Sequence, residues 1–253
     1  MILIQDTPHH AGVTICGDQA DFSHLYEAIY DMCSKVEVFP IEEPWLIRML
    51  ALSYDLRHAM QGDRDMELVE SGIETTKENK TSMEDRSYRS LYNFYHKIYI
   101  LWPEILYELI ALERLIKIYA QVIGKNSDYI LKQAKSLWDQ NIAVARIFQA
   151  AVMKEASSLM TPRTFARMQK NLYLSEPLLY DFYDQYIDRL CMEHVQLPAE
   201  KRLKNIPAIA RKFKDPGDDY LLLKRSIDEY AREHHTYRDN VRFIDDYPVD
   251  VDW

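Results

Sequence analysis

Glycine, cysteine and long apolar runs are all scarce in this 253-residue chain. Six glycines are too few for a sheet-rich fold with many tight turns, so helices are expected to dominate. The three cysteines, Cys16, Cys33 and Cys191, are odd in number, far apart and outside any paired motif. That pattern is typical of a reduced cytoplasmic protein and argues against a disulfide framework or a zinc site. Without a run of about 18 apolar residues or a signal peptide, the chain is predicted to be soluble.

Acidic residues outnumber basic ones only in the first third of the sequence. Residues 1–82 contain 15 Asp and Glu against 6 Lys and Arg, so their net charge of −9 equals that of the whole chain. Residues 83–253 hold the other 25 acids and 25 bases. An acidic surface repels phosphate backbones, so nucleic-acid binding there is not expected. Basic patches in the remainder stay open, and segment 199–214 is either a site for phosphates or an acidic partner, or a solvated helix face.

The stretch from Ile98 to Gly124 organises the predicted fold. Apolar residues recur three or four apart on two of its faces, and charged residues form only a narrow stripe. A helix with this pattern is packed on several sides by other helices. Pro103 suits its first turn and Gly124 its end, so we predict a buried central helix.

The first 75 residues predict a small acidic α+β unit. Its elements, in order, are a hairpin of Ile2–Gln5 and Val13–Cys16, a helix capped by Asp18 or Asp21, a helix from Pro44 to Gly62 and a possible third strand at Met66–Val69. Residues 76–85 form a polar link, 86–236 a helical bundle and 237–253 an acidic tail or strap. The predicted fold class is mainly α, a multi-helix bundle around the buried central helix.

Further helices are predicted after the link, including one over the aromatic run before Trp102. The predicted ranges are 84–100, 129–159, 162–174, 176–194, 198–213 and a last helix ending near His234 and His235. The aromatic side chains of the first range are expected in the core, because their spacing is helical.

The best candidate site lies where the second helix ends, at Tyr54, Asp55, His58, Asp63 and Arg64. On a helix, Tyr54 and Asp55 both reach His58, and a carboxylate that holds one imidazole nitrogen leaves the other free as a base or ligand. Arg64 then offers a guanidinium to an anion. The alternative, which we favour, is a core histidine near Ile47 and Ala51 with a capped helix end.

No cofactor or metal site is expected, because the Glu-x-x-His pairs of helical di-iron proteins do not occur. Arg89 with His96, and Arg189 with His194, have the loose spacing that resembles the HEPN family of ribonucleases. Two such matches are no more than chance supplies in a chain of this composition. His9 and His10 lie in the predicted hairpin loop, where no ligand role is indicated.

Three segments together resemble a family of bacterial proteins with a domain of unknown function. They are TPHHAGVTICGD near the N-terminus, YDLRHAMQGDR at the candidate site and LWPE before the central helix. The resemblance covers most of the chain and implies a bacterial cytoplasmic protein, but no activity or substrate.

The leading functional hypothesis is a non-enzymatic binding or interaction protein, and its expected assembly is a homodimer through an apolar helical face. The competing hypothesis is a hydrolase or phosphate-handling enzyme that uses Asp55, His58 and Arg64. A HEPN-like ribonuclease that uses Arg89 and His96 is the third, and it fails if either side chain points into the core.

Overall fold

The computed structural model describes residues 1–36, 43–70, 92–124, 134–173, 181–243 and 251–253. The strands described are β1 (Leu3–Asp6), β2 (Gly12–Gly17), β3 (Asp65–Glu70) and β4 (Tyr92–Leu101). The helices described are α1 (Gln19–Lys35), α2 (Pro44–Met60), α3 (Trp102–Gly124), α4 (Ala134–Leu137), α5 (Gln140–Ser158), α6 (Pro162–Tyr173), α7 (Tyr183–Val195), α8 (Ala199–Lys214) and α9 (Gly217–Glu233). A 3-10 turn follows at Arg238–Asn240. The protein is mainly helical with a small sheet, as predicted.

The strands form an antiparallel sheet in the order β1-β2-β4-β3. The predicted hairpin and the predicted third strand are both confirmed. Every residue of the inner strand β2 is buried. Gly12 must be a glycine, because a Cβ there would overlap the Ile100 carbonyl oxygen on the neighbouring strand β4.

Helix α3 is the buried central helix that the sequence predicts. Ile105 and Ile116 are fully buried, and Leu109 is only 6% exposed. Helices α1, α2, α5, α7 and α8 pack around α3, together with strands β2 and β4. Helices that precede and follow α3 in the chain are therefore held by one core element.

The helix predicted over residues 84–100 is wrong where the structure describes it. Residues 92–101 form strand β4 instead, and Tyr88 lies outside the described residues. Aromatic and β-branched residues favour strands, and alternate residues His96, Ile98 and Ile100 point into the core. Phe94 is 64% exposed, so the prediction of an aromatic core stripe also fails.

The helix predicted over residues 129–159 is divided in the structure. Helix α4 ends at Leu137, and α5 begins at Gln140 with Asp139 as its N-cap. The Asp139 carboxylate accepts the backbone N–H of Ile142 at 3.0 Å, which satisfies one of the free donors at the start of α5. A good capping residue thus breaks a run whose apolar spacing is continuous.

The remaining helices follow the sequence closely, although the predicted start at Glu176 lies outside the described residues. The described parts of the C-terminal segment lie against the body as a strap. Val241 is buried, and its carbonyl accepts the Gln185 amide at 2.8 Å. The Trp253 ring lies 5.3 Å from the Tyr99 ring, so both ends of the strap are packed.

The proposed division into residues 1–75, 76–85, 86–236 and 237–253 remains a prediction. The sheet takes strands from both sides of residues 76–85, since β4 lies between β2 and β3. Buried apolar side chains form one cluster that extends from Ile4 to Val241. Among the helices that the structure describes, none combines the length and hydropathy needed to cross a membrane.

Candidate functional site

The predicted cluster at the end of α2 does assemble, with pairings that differ from the expected ones. His58 donates from Nδ1 to Asp63 at 2.8 Å, rather than to Asp55. Asp55 accepts instead from Arg64 at 2.7 Å. The Tyr54 ring centroid lies 4.0 Å from that of His58. Gly62, with φ of +87°, makes the turn that brings residues 63 and 64 back to the helix.

This cluster lies on the surface. Asp63 and Arg64 are 55% and 38% exposed, and Ile47 and Ala51 are also exposed. The His58 side chain is 22% exposed, so it is not the sealed core histidine of the alternative interpretation, although Asp63 and Arg64 do pair with side chains at the helix end as that interpretation supposed. Exposed ion pairs contribute little to stability, and the Arg64 guanidinium already has the Asp55 carboxylate as its partner. The role of these residues in ligand binding stays a prediction.

The HEPN-like alternative does not survive the structure. His96 lies on strand β4 and is buried against the Phe22 ring, where its Nε2–H donates to Gln19 at 2.9 Å. His194 of the other sequence match is fully buried as well. Both histidines are core residues, and Arg89 lies outside the described residues.

A second aspartate–histidine pair, which the sequence did not indicate, lies in the loop between β1 and β2. His10 donates from Nδ1 to the Asp6 carboxylate in a short contact. The other Asp6 oxygen accepts the Trp102 indole N–H at 2.8 Å. The Asp6 side chain is 9% exposed and that of His10 is 27% exposed. The carboxylate is thus held from two sides, and it fixes the orientation of the His10 imidazole through Nδ1.

The backbone of this loop is held by a buried histidine. His194 donates from Nε2 to the His10 carbonyl at 2.9 Å, and its Nδ1 accepts from Asn205 at 3.2 Å. Burial lowers the pKa of His194 to about 4. The ring is therefore neutral at pH 7, which is the state that both hydrogen bonds require.

Arg202 of α8 ties the same loop to two other segments. Its guanidinium donates to the carbonyls of His9, Val195, Leu197 and Asp252 at 2.7 to 3.2 Å. The residue is only 6% exposed. The loop, the end of α7 and the C-terminal strap are therefore joined through one side chain.

These contacts hold His10 in an unusual backbone conformation, with φ of +56°. Such conformations persist where the surroundings over-determine them, and they are found often at functional sites. The Nε2 of His10 has no hydrogen-bond partner among the described residues. An imidazole oriented by a carboxylate, with its second nitrogen open, is able to accept a proton or bind a ligand.

Charged groups are also buried between α2, α3 and α7. Arg48 donates to Glu104 at 2.9 Å and to Asp188 at 2.6 Å. Burial, together with nearby Glu104, raises the pKa of Glu108 well above its usual range. Burial also raises the pKa of Cys191, so this thiol is a poor nucleophile. Within the described ranges, no three His, Cys, Asp or Glu side chains are placed to hold a metal ion.

An exposed apolar patch lies at the end of the sheet, on the same sheet face as His96, Ile98 and Ile100 but beyond the core that covers them. Strand β2 ends at Gly17, opposite His96, so residues 92–95 pair with β3 and not with β2. Met66, Leu68 and Phe94 share one face of this two-stranded segment and are 56%, 57% and 64% exposed. We name these three side chains the ribbon face. The segment follows directly from the α2 cluster, since β3 begins at Asp65.

Comparisons with known proteins place the chain in a family. No curated protein and no solved structure gave a match. A family described as a domain of unknown function, DUF6904, matches residues 2–253. This match agrees with the sequence resemblance and covers nearly the whole chain, so the protein belongs to the DUF6904 family.

Proposed function

We propose that this protein is a non-enzymatic interaction protein and that its ribbon face docks a second copy of the chain. The observation that carries the proposal is the exposure of Met66, Leu68 and Phe94 on one face of the sheet. Clustered exposed apolar side chains mark interaction surfaces in folded proteins. A two-stranded segment is also marginal by itself and gains stability when one face is covered.

The charges around the ribbon favour contact through its face. Its three side chains are uncharged, so a twofold axis would bring identical apolar patches together, with Glu70 of the same strand face at the rim of the contact. The β3 strand carries exposed Asp65, Glu67 and Glu70. Glu67 is paired with Lys97, but edge-to-edge pairing of two β3 strands would still bring the carboxylates of Asp65 and Glu70 together, which disfavours that arrangement.

Sedimentation velocity tests this proposal. We expect the wild-type chain to form a dimer that dissociates on dilution, and Leu68→Glu with Phe94→Glu to be monomeric. Leu222→Glu on α9 is the control, because Leu222 is 56% exposed and Leu68 is 57% exposed. A wild-type chain that stays monomeric at every concentration, or a control that dissociates equally, contradicts the proposal.

An acid–base enzyme is the second candidate function. The observation that favours it is the orientation of His10 by Asp6, which leaves Nε2 open. A hydrolase or phosphate-handling enzyme based on Asp55, His58 and Arg64 has less support. The Arg64 guanidinium, which would hold a phosphate, is already paired with Asp55.

Hydrolysis of p-nitrophenyl acetate and bis(p-nitrophenyl) phosphate compares these two sites. His10→Gln and His58→Gln each serve as the control for the other. Activity lost only in His10→Gln supports the loop pair, and activity lost only in His58→Gln supports the α2 cluster. A wild-type rate equal to that of both variants counts against an enzyme at either site.

We also propose a cytoplasmic location. Cys16, Cys33 and Cys191 are all buried and free of disulfides, which is the usual state in a reducing compartment. Expression of a tagged chain followed by cell fractionation tests this proposal, and the tag should be recovered in the cytoplasmic fraction.

A further inference from the structure

Helix α6 has a cationic outer face. Its sequence, PRTFARMQKNLY, contains no acidic residue. Arg163, Arg167 and Lys170 are exposed and follow one line along the helix, at spacings of four and three residues. The buried Met168 lies on the opposite side. The three charges are therefore turned to solvent together.

Helix α8 packs against α6 and also carries exposed cations. Its buried side chains include Ile206, Ile209 and Phe213. Its exposed cations lie on the opposite side of the helix, and they are Lys201, Lys204, Arg211 and Lys214. Glu200 is the acidic residue in the sequence of α8. We call the seven exposed cations of α6 and α8 the basic surface.

The basic surface groups seven exposed cations that form no ion pair within the described part of the chain, on two helices that pack together. Arg57, Lys154, Arg225 and Arg232 also form no ion pair with a described residue, but they belong to other helices. Arg48, Arg64, Arg146, Arg189, Arg238 and Arg242 all pair with carboxylates. None of the seven cations forms an ion pair with a described residue. Unneutralised like charges on adjacent helices repel one another, and a polyanion bound across them removes that repulsion while releasing counterions.

An aromatic side chain completes this surface. Tyr173, the last residue of α6, is 85% exposed and lies one turn from Lys170. Cations that follow a phosphate backbone, together with an exposed ring on which a base stacks, are the features of single-strand binding. The acidic excess that argues against nucleic acid belongs to residues 1–82, and the basic surface lies outside that region.

Two other anionic partners fit less well. A helix that lies on a membrane needs a free apolar face, whereas Phe165 and Leu172 of α6 pack against the core. The acidic region of a second copy is partly neutralised in its own chain, since Asp55 pairs with Arg64 and Glu67 with Lys97. We therefore propose that the basic surface binds the backbone of single-stranded nucleic acid, with Tyr173 as a stacking residue.

Fluorescence anisotropy measures the affinity for labelled oligo(dT) and oligo(U) of about 20 nucleotides and tests the proposal. With seven phosphate contacts, log K is expected to fall with log salt at a slope of about −5. Arg163→Glu with Arg167→Glu should lower the affinity at least tenfold and reduce the slope by about 1.4. Tyr173→Ala should lower the affinity about fivefold or more.

The control reverses two exposed arginines of α9, Arg225 and Arg232, and so changes the net charge equally. It should lower the affinity less than threefold. Wild-type protein that does not bind either oligonucleotide at 50 mM salt overturns the proposal. Equal losses in the two double variants, or binding to phosphatidylserine vesicles instead of oligonucleotides, also overturn it, because charge alone or a membrane would then account for the surface.

Discussion

The β1–β2 loop and the turn after α2 each pair a histidine with an aspartate, but the two aspartates differ in their exposure and in their other hydrogen bonds. In the loop, Asp6 is 9% exposed, and the Trp102 indole holds its second oxygen. At the α2 turn, Asp63 is 55% exposed. The spacing along the chain is similar, four residues in one case and five in the other.

A short sequence spacing therefore predicts that two side chains are in contact, but not how firmly the contact is held. His58 and Asp63 are near each other because a helix ends and a turn returns. His10 and Asp6 lie in a loop whose backbone is held by His194 and Arg202, which are 184 and 193 residues from the carbonyls they bind. The loop pair is therefore the rigid one, and rigidity is what an acid–base or ligand site needs. Four stability measurements examine this comparison.

The largest effect is expected from Arg202→Ala. This change leaves four carbonyl groups without their donor, some of them away from water, and we expect a loss of about 3 kcal/mol or more in the free energy of unfolding. Arg64→Ala at the exposed cluster is the matched control and should cost less than about 1 kcal/mol. Urea denaturation at pH 7.5 measures both, and equal losses would remove the distinction between the two regions.

Acid should weaken the loop through His194. The pKa of this ring is lowered to about 4 in the folded chain, from 6.5. Between these values the unfolded chain binds a proton that the native chain does not, so stability falls as the pH falls from 6.5 to 4, by about 3 kcal/mol at most. Urea titrations across this range should show the fall in wild type and a smaller one in His194→Gln. An unchanged pH dependence in the variant would contradict this account.

Asp6→Asn should have an intermediate effect. The amide keeps one acceptor but turns a donor toward Trp102 or His10, so we expect a cost of about 1 to 3 kcal/mol. Asp63→Asn provides the comparison at the exposed pair and should be nearly silent. Denaturation followed by tryptophan fluorescence measures both variants, and a silent Asp6→Asn would mean that the loop pair is not held as described.

The smallest effect is expected from His58→Ala. It removes the solvent-accessible hydrogen bond to Asp63 and a ring contact with Tyr54, so the free energy of unfolding should change by about 0.5 kcal/mol or less. Thermal denaturation of this variant beside His10→Ala ranks the two pairs directly. A larger loss in His58→Ala would reverse the ranking.

The sequence predicts the elements whose signals are local. Helix α3 is recognised by its apolar spacing, and the strands β1, β2 and β3 by short apolar runs between turn residues. Strand β4 was missed because its tyrosines also recur three or four residues apart. The same residues also fit the alternation of a strand, and only pairing with β2 and β3 selects the strand over the helix. That pairing joins residues that are far apart in the chain.

The candidate sites also divide into one that depends on local sequence and one that depends on contacts between distant residues. The α2 cluster was predictable as a group, because helix geometry alone brings Tyr54 and Asp55 near His58. Its pairings depend on the conformation of Gly62 and could not be derived. His10 has no comparable local signal, since nothing near it in the sequence shows that Trp102 and His194 surround its loop. The TPHHAG segment, part of the family resemblance, was the available signal.

Strand β4 and helix α3 meet without a linker, since one ends at Leu101 and the other begins at Trp102. A displacement of the ribbon would therefore be transmitted along β4 directly to the first residue of the central helix. Trp102 is that first residue, and its indole N–H donates to the Asp6 carboxylate. A tilt imposed on the ribbon by a docked partner would reach the imidazole of His10 through this single indole.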